Sequence, residues 1–156
     1  MKNLLLSISR FAITAWVGAA ALFVVTLVIE VSSDKIDSPI RNELARQRFP
    51  AFYSFGFTLV IVALASSLAG GSKLVGTRRS WIYIGLLSLV LLIMVVDYFA
   101  VFLPLIAMLA DDEASRPASF VGYHEASKYI NALHVGLCAI AALLIAWPQI
   151  KDERRT

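Results

Sequence analysis

The chain has 156 residues, of which 59% are hydrophobic, and its formal net charge is +3. Its mean hydropathy of +0.76 is typical of a membrane protein, because water-soluble domains are only about 45–50% apolar. The basic residues are scattered along the chain, which argues against a nucleic-acid partner. The single cysteine excludes a disulfide within the chain.

Four segments are long and apolar enough to cross a bilayer, since a spanning helix needs about 20 predominantly apolar residues. They are residues 11–31, 52–70, 81–108 and 129–147. The first segment is longer than the apolar core of a signal peptide, about 7–15 residues, and we interpret it as an uncleaved span. Little chain remains outside the spans, so residues 1–156 are predicted to form one all-α domain, an integral membrane four-helix bundle.

An amphipathic stretch, residues 36–49, separates the first two spans. The serine–proline pair at 38–39 is typical of a helix start, with the serine as N-cap. Ile36, Ile40 and Leu44 then recur every four residues between charged side chains. This pattern predicts a short helix that lies on the membrane surface or against the bundle.

Aromatic residues mark the ends of the second and third spans. Phe52, Tyr53 and Phe55 stand near the outer end of the second span, and Trp81 and Tyr83 open the third. Because aromatic side chains concentrate at membrane interfaces, we interpret both groups as interfacial anchors.

The distribution of basic residues predicts the orientation in the membrane. An even number of spans places both termini on one side. If that side is the cytoplasm, the inner side carries Lys2, Arg10, Lys73, Arg78, Arg79, Lys151, Arg154 and Arg155, and the outer side carries Lys35, Arg41, Arg46, Arg48, Arg116 and Lys128. The positive-inside rule therefore favours cytoplasmic termini, and the compact, uncleaved chain favours the plasma (inner) membrane of a bacterium.

The last span carries a polar stripe. At 100° per residue on a helix, five side chains fall within an arc of about 80°. They are His124, Ser127, Asn131, His134 and Cys138. Polar groups that face lipid are costly, so this stripe is predicted to face the interior of the bundle.

Polar residues of the other spans fall at a similar depth. Counted from the segment midpoints, Asp97 and His134 both lie about 5 Å outside the midplane. The predicted polar layer, from the midplane outward, comprises Asp97, His134, Thr58, Thr26, Asn131, Glu30 and His124. An intramembrane carboxylate is a functional-site hypothesis by default, and we predict His134 as the partner of Asp97. The alternative is a structural hydrogen bond that ties the third span to the fourth.

A metal or heme site needs suitable geometry as well as suitable residues. His124 and His134 are about 15 Å apart along one helix, so they cannot bind the same metal ion or form a bis-histidine heme site within the chain. A heme would need one histidine together with Met94, Met108, a partner chain or an open position. Cys138 lies one turn from His134, so a soft-metal pair is geometrically possible, although two such ligands alone are a weak signal.

Three short motifs resemble the transmembrane-protein-205-like four-span membrane domain family, whose function is unknown. The motif residues are Trp16 and Gly18 in the first span, Pro50 in the Phe-Pro-Ala-Phe-Tyr entry to the second, and His124, Ser127 and Asn131 in a His-x-x-Ser-x-x-x-Asn pattern. The resemblance covers about residues 10 to 147. It implies a small integral membrane protein without an established enzymatic reaction.

The leading functional prediction is a non-enzymatic membrane protein that binds or passes a small solute, a proton or a metal ion through the polar layer. One alternative is a membrane redox subunit with heme or a transition metal as cofactor, and another is a structural subunit of a larger membrane complex. Besides the lipid bilayer, a second copy of the chain is an expected partner, because four short spans make a narrow bundle.

Overall fold

Helices make up almost all of the computed structural model, which describes residues 2–70, 77–109 and 116–147. In chain order they are α1 (Lys2–Val31), α2 (Ser38–Gly70), α3 (Thr77–Asp97), α4 (Leu103–Met108) and α5 (Ser119–Ala146), with a π-helical turn, Tyr98–Phe102, between α3 and α4.

Four helices are long and apolar enough to cross a membrane. They are α1, α2, α5 and the run Arg78–Met108, in which α3, the π-helical turn and α4 form one span. The prediction of an all-α four-helix membrane bundle is confirmed. The helices begin earlier than predicted, because polar residues at their ends extend the helical backbone beyond the apolar segments.

The amphipathic stretch before the second span is helical, but it is not a separate helix. It forms the first turns of α2, which continues through Pro50. Asp37 rather than Ser38 caps this helix, since its Oδ1 accepts a hydrogen bond from the Ile40 amide at 3.1 Å. Pro50 removes one backbone donor, but the affected carbonyl belongs to Arg46, in an exposed part of the helix that water can reach. The helix therefore does not need to break there.

The four spans form a ring in which each packs against two neighbours. α1 packs against α2 and α5, and α3 packs against the same two helices from the other side. The core between them contains Ile13, Trp16, Val60, Leu87 and Met94, all fully buried. Charged groups join α1 to α2 at the end opposite the chain start, where Arg48 pairs with Glu30.

A second polar cluster lies near the start of α1. Ser9 donates a hydrogen bond to the carbonyl oxygen of Ala63 at 2.9 Å, and its hydroxyl lies 2.8 Å from the Ser67 hydroxyl and 2.9 Å from that of Tyr83. Each hydroxyl has a partner, and the cluster joins α1, α2 and α3. We interpret it as a structural connection between these helices.

Candidate functional site

A hydrogen-bonded network joins α2, α3 and α5 inside the bundle. The Tyr53 hydroxyl donates to Oδ2 of Asp97. The Asn131 amide nitrogen lies 3.2 Å from the same Asp97 oxygen and 3.2 Å from the Tyr53 oxygen, and it donates to the Ser127 carbonyl at 2.8 Å. On its other side, the Asn131 carbonyl oxygen lies 3.0 Å from Nε2 of His134. We call these four side chains, together with Ser127, the polar network.

The bond to Asn131 fixes how the His134 imidazole is protonated. An amide oxygen can only accept, so Nε2 of His134 carries the hydrogen. In the neutral ring Nδ1 is then an acceptor. That nitrogen is buried and has no hydrogen-bond partner in the described part of the chain.

Asp97 is paired on one side only. Its Oδ2 accepts from Tyr53 and Asn131, whereas Oδ1 is buried and has no partner among residues 2–70, 77–109 and 116–147. Because Oδ2 is engaged as an acceptor, a proton on this carboxyl group belongs on Oδ1. Oδ1 of the carboxylate and Nδ1 of His134 are both acceptors, so a complementary ligand must donate hydrogen bonds or carry positive charge.

The π-helical turn begins directly after Asp97. The Leu103 amide bonds to the carbonyl of Tyr98, five residues back. Pro104 follows, and its ring has no N–H and crowds the preceding turn, so the wider π geometry accommodates it. The turn brings the Tyr98 and Phe102 rings against Tyr53, with centroid distances of 5.4 and 4.5 Å.

Trp16 of α1 closes the other side of the polar network. Its indole lies parallel to the His134 ring, with centroids 6.3 Å apart and an interplanar angle of 6°. Gly56 of α2 makes this position available, because a Cβ there would lie 2.5 Å from Cη2 of Trp16. The network is therefore enclosed by an indole from α1 and aromatic rings from α2 and the π-helical turn.

The structure brings together three of the residues predicted for the polar layer: Asp97, Asn131 and His134. The direct hydrogen bond predicted between Asp97 and His134 is absent among the described contacts, because Asn131 lies between them and bonds to both. The predicted stripe of α5 does face the interior at Ser127, His134 and Cys138, which are buried. Its fifth member, His124, is exposed and stacks on Phe120 at 6.0 Å.

The remaining predicted residues of the layer lie outside the network. Thr26 donates to its own helix at the Leu22 carbonyl, 2.9 Å away, and Thr58 does the same at the Ser54 carbonyl, 2.8 Å away. A threonine in a helix satisfies its hydroxyl in this way without turning inward. Glu30 forms the ion pair with Arg48 at the end of α1.

Of the three metal-ligand candidates, His124 lies apart from His134 and Cys138, as the spacing in the sequence predicted. His134 and Cys138 are buried on the same face of α5, and His124 is exposed near its start. Among the residues that the structure describes, no group of three or more His, Cys, Asp or Glu side chains is arranged to hold a metal ion.

Sequence reasoning missed the site roles of Tyr53, which belongs to the polar network, and of Trp16, which lies beside it. The interpretation of Tyr53 as an interfacial anchor rests on a second span that starts at residue 52. Since α2 starts at Ser38, Tyr53 lies about four turns inside the helix. The buried positions of α2, from Tyr53 through Gly56, Val60, Ala63 and Ser66, recur every three or four residues, so Tyr53 lies on the face of α2 that packs into the bundle.

The motif residues of the resemblance divide between the interior and the surface. Trp16, Ser127 and Asn131 contact or form the polar network, whereas Gly18, Pro50 and His124 are exposed. Comparisons with protein-family models, curated proteins and solved structures returned no significant match. The function is therefore inferred from the geometry of the bundle and of its polar network.

Proposed function

We propose that this integral membrane protein binds a proton or a small cationic or hydrogen-bond-donating solute at Asp97, inside its four-helix bundle, and catalyses no reaction. The observation that carries the proposal is the unpaired Oδ1 of a fully buried carboxyl group within a spanning helix. Carboxyl groups at such positions are costly and usually belong to ion or proton pathways.

The surroundings of Asp97 support a cationic or donating ligand over an anionic one. No Lys or Arg side chain forms an ion pair with Asp97 within the described ranges, so no protein cation occupies the place of a ligand. The unpaired Nδ1 of His134 adds a second acceptor on the far side of Asn131. An anion would meet an acceptor at each of these two atoms.

A second candidate function is structural, and it also rests on an observation. The same hydrogen bonds connect α2, α3 and α5, so the network holds three of the four spans together. In that case, the side chains stabilise the bundle and bind nothing further.

Infrared difference spectroscopy of the purified protein separates the two functions. Spectra are recorded during a pH titration and on addition of sodium or ammonium salts, for the native chain, Asp97→Asn and the control Asp34→Asn, which alters an exposed carboxylate between α1 and α2. We expect a carboxyl band that responds to pH or cation in the native chain and the control, and that Asp97→Asn lacks.

The structural function predicts another result. Asp97→Asn would then unfold more readily than the native chain, while the carboxyl bands of the two proteins respond identically to pH and to both cations. That result would overturn the proposed binding function.

The proposal extends to the orientation of the protein in the membrane, its oligomeric state and its family. The start of α1 and the end of α5 lie at one end of the bundle, where Arg10 and Arg79 are also found, and this supports cytoplasmic termini in a bacterial plasma membrane. A homodimer and membership of the transmembrane-protein-205-like family are proposed on bundle width and on the motif residues, respectively. Labelling of single cysteines placed at Ser7 and Ser32 from either side of the membrane tests the orientation.

A further inference from the structure

Two arginines from different spans meet at the last turn of α5. Arg10 of α1 donates from Nε to the carbonyl of Ile145 at 3.0 Å. Arg79 of α3 donates to the carbonyl of Leu144, and its Nη2 lies 2.8 Å from the carbonyl of Trp147. Both guanidinium groups are therefore bonded to carbonyl oxygens of the same last turn of α5.

The positive charge of this arginine pair is not neutralised by the described part of the protein. The three ion pairs found there involve residues 30–48 and 125–128, at the opposite end of the bundle. The carbonyl oxygens carry only the partial negative charge of a helix end. Both terminal nitrogens of Arg10 and Nη1 of Arg79 also have no hydrogen-bond partner among the described residues. Within the described residues, the positive charge of the arginine pair and its unpaired N–H groups are therefore available to a ligand.

The arginine pair lies at the depth of lipid headgroups. Trp81 follows Arg79 by two residues and is 61% exposed, and Trp147, whose carbonyl binds Arg79, is 68% exposed. Tryptophan side chains on the outside of a bundle occupy the membrane interface. Phe11, next to Arg10, is also exposed and offers an apolar surface on the membrane side of the pair.

We propose that Arg10 and Arg79 form a binding site for the phosphate of an anionic phospholipid, in the leaflet that surrounds the start of α1 and the end of α5. Guanidinium groups match the geometry of phosphate oxygens, and two of them can share one phosphate. The exposed Phe11 ring contacts the acyl chains of the same lipid. This site is separate from the polar network around Asp97.

Native mass spectrometry of the full chain in detergent measures this binding directly. Phosphatidylglycerol and phosphatidylcholine with identical acyl chains are titrated, and inorganic phosphate is titrated in parallel. The variants are Arg10→Gln/Arg79→Gln, Arg10→Lys/Arg79→Lys and the control Arg46→Gln, which removes an exposed arginine at the other end of the bundle.

We expect the native chain and Arg46→Gln to bind phosphatidylglycerol more tightly than phosphatidylcholine. The double glutamine variant should bind it about 30-fold more weakly, since each basic group near an anionic lipid contributes about fivefold. The double lysine variant retains the charge and should keep most of the preference. Where the glutamine variant fails to fold, the lipid preference of the native chain and its dependence on salt test the proposal.

Two results would overturn the proposal. One is a folded double glutamine variant that keeps the native preference for phosphatidylglycerol over phosphatidylcholine, or, where that variant does not fold, a native chain that shows no such preference. The other is binding of inorganic phosphate as tight as that of the lipid, which would make the pair a site for a free anion. Added salt should weaken lipid binding to the native chain, and this measurement needs no variant.

Discussion

The hydroxyl group of Tyr53 on α2 donates a hydrogen bond to Oδ2 of Asp97 on α3, and both side chains are fully buried. This bond, together with that from Asn131, assigns the two carboxyl oxygens different roles. Oδ2 holds the helices together, whereas Oδ1 has no hydrogen-bond partner among the described residues. Variants of Tyr53 therefore test the hydrogen bond between α2 and α3 without removing the carboxyl group of Asp97.

Tyr53→Phe should lower the free energy of unfolding by about 0.6–1.7 kcal/mol, because side-chain hydrogen bonds inside membrane proteins contribute that much. The ring remains, so its packing against Phe102 is kept. Unfolding by a denaturing detergent, followed by circular dichroism, measures the change. Tyr129→Phe, at an exposed position of α5, is the matched control and should be neutral. Equal stabilities of the two variants would contradict the buried bond.

Gly56→Ala should destabilise the bundle by about 1–3 kcal/mol, the usual cost of overpacking a core. The new methyl group would lie 2.5–2.9 Å from three carbons of the Trp16 ring, so this ring must shift from its position parallel to His134. Thermal unfolding and tryptophan fluorescence report the two effects. At Gly85 a Cβ meets nothing within 4 Å, so Gly85→Ala should be neutral or stabilise α3 by up to about 1 kcal/mol.

The two histidines should respond differently to replacement by alanine. His134→Ala leaves the Asn131 carbonyl oxygen without its partner and should cost about 1–3 kcal/mol of unfolding free energy. His124→Ala removes an exposed ring that contacts Phe120 and should change stability by less than about 0.5 kcal/mol. Detergent unfolding curves of both variants check the difference. A larger loss at His124 would mean that its face of α5 is covered in the membrane.

The ion pair between Glu30 and Arg48 should be the stronger of two pairs near the start of α2. Its side chains are 13% and 37% exposed, whereas those of Glu43 and Arg46 are 57% and 47% exposed. Double-mutant cycles with glutamine should give coupling of about 1 kcal/mol for the first pair and about 0–0.5 kcal/mol for the second. Salt should reduce the weaker coupling further.

Hydropathy and helical periodicity predicted most of the architecture for a physical reason. Segments that cross hydrocarbon must be long and apolar, and a polar face within such a segment must turn inward. Asp97 and the stripe residues Ser127, Asn131 and His134 could therefore be placed in the interior from their positions alone. These predictions use constraints that act within a single helix.

The predictions that were wrong depended on where the helices begin and on which residues face each other between neighbouring helices. Because α2 starts at Ser38 and not at residue 52, Tyr53 lies well inside the helix, where it is buried. Thr58 lies on an exposed face of the same helix. Placing Asn131 between Asp97 and His134 requires the relative rotation of α3 and α5, which no single-helix pattern contains. The π-helical turn changes the rotation of every residue after Asp97, and Pro104 was its sole local sign.

The order of the network residues along the chain has a consequence for biosynthesis. Tyr53 and Asp97 belong to helices that leave the ribosome before α5, whereas Asn131 and the imidazole beside it arrive with the last span. A nascent chain that ended after α4 would lack the Asn131 donor, so Tyr53 would be the one remaining partner of this carboxyl group in the network. Truncated chains of this kind should therefore be degraded faster by membrane proteases than full-length chains, because an incompletely bonded carboxyl group in a membrane is costly.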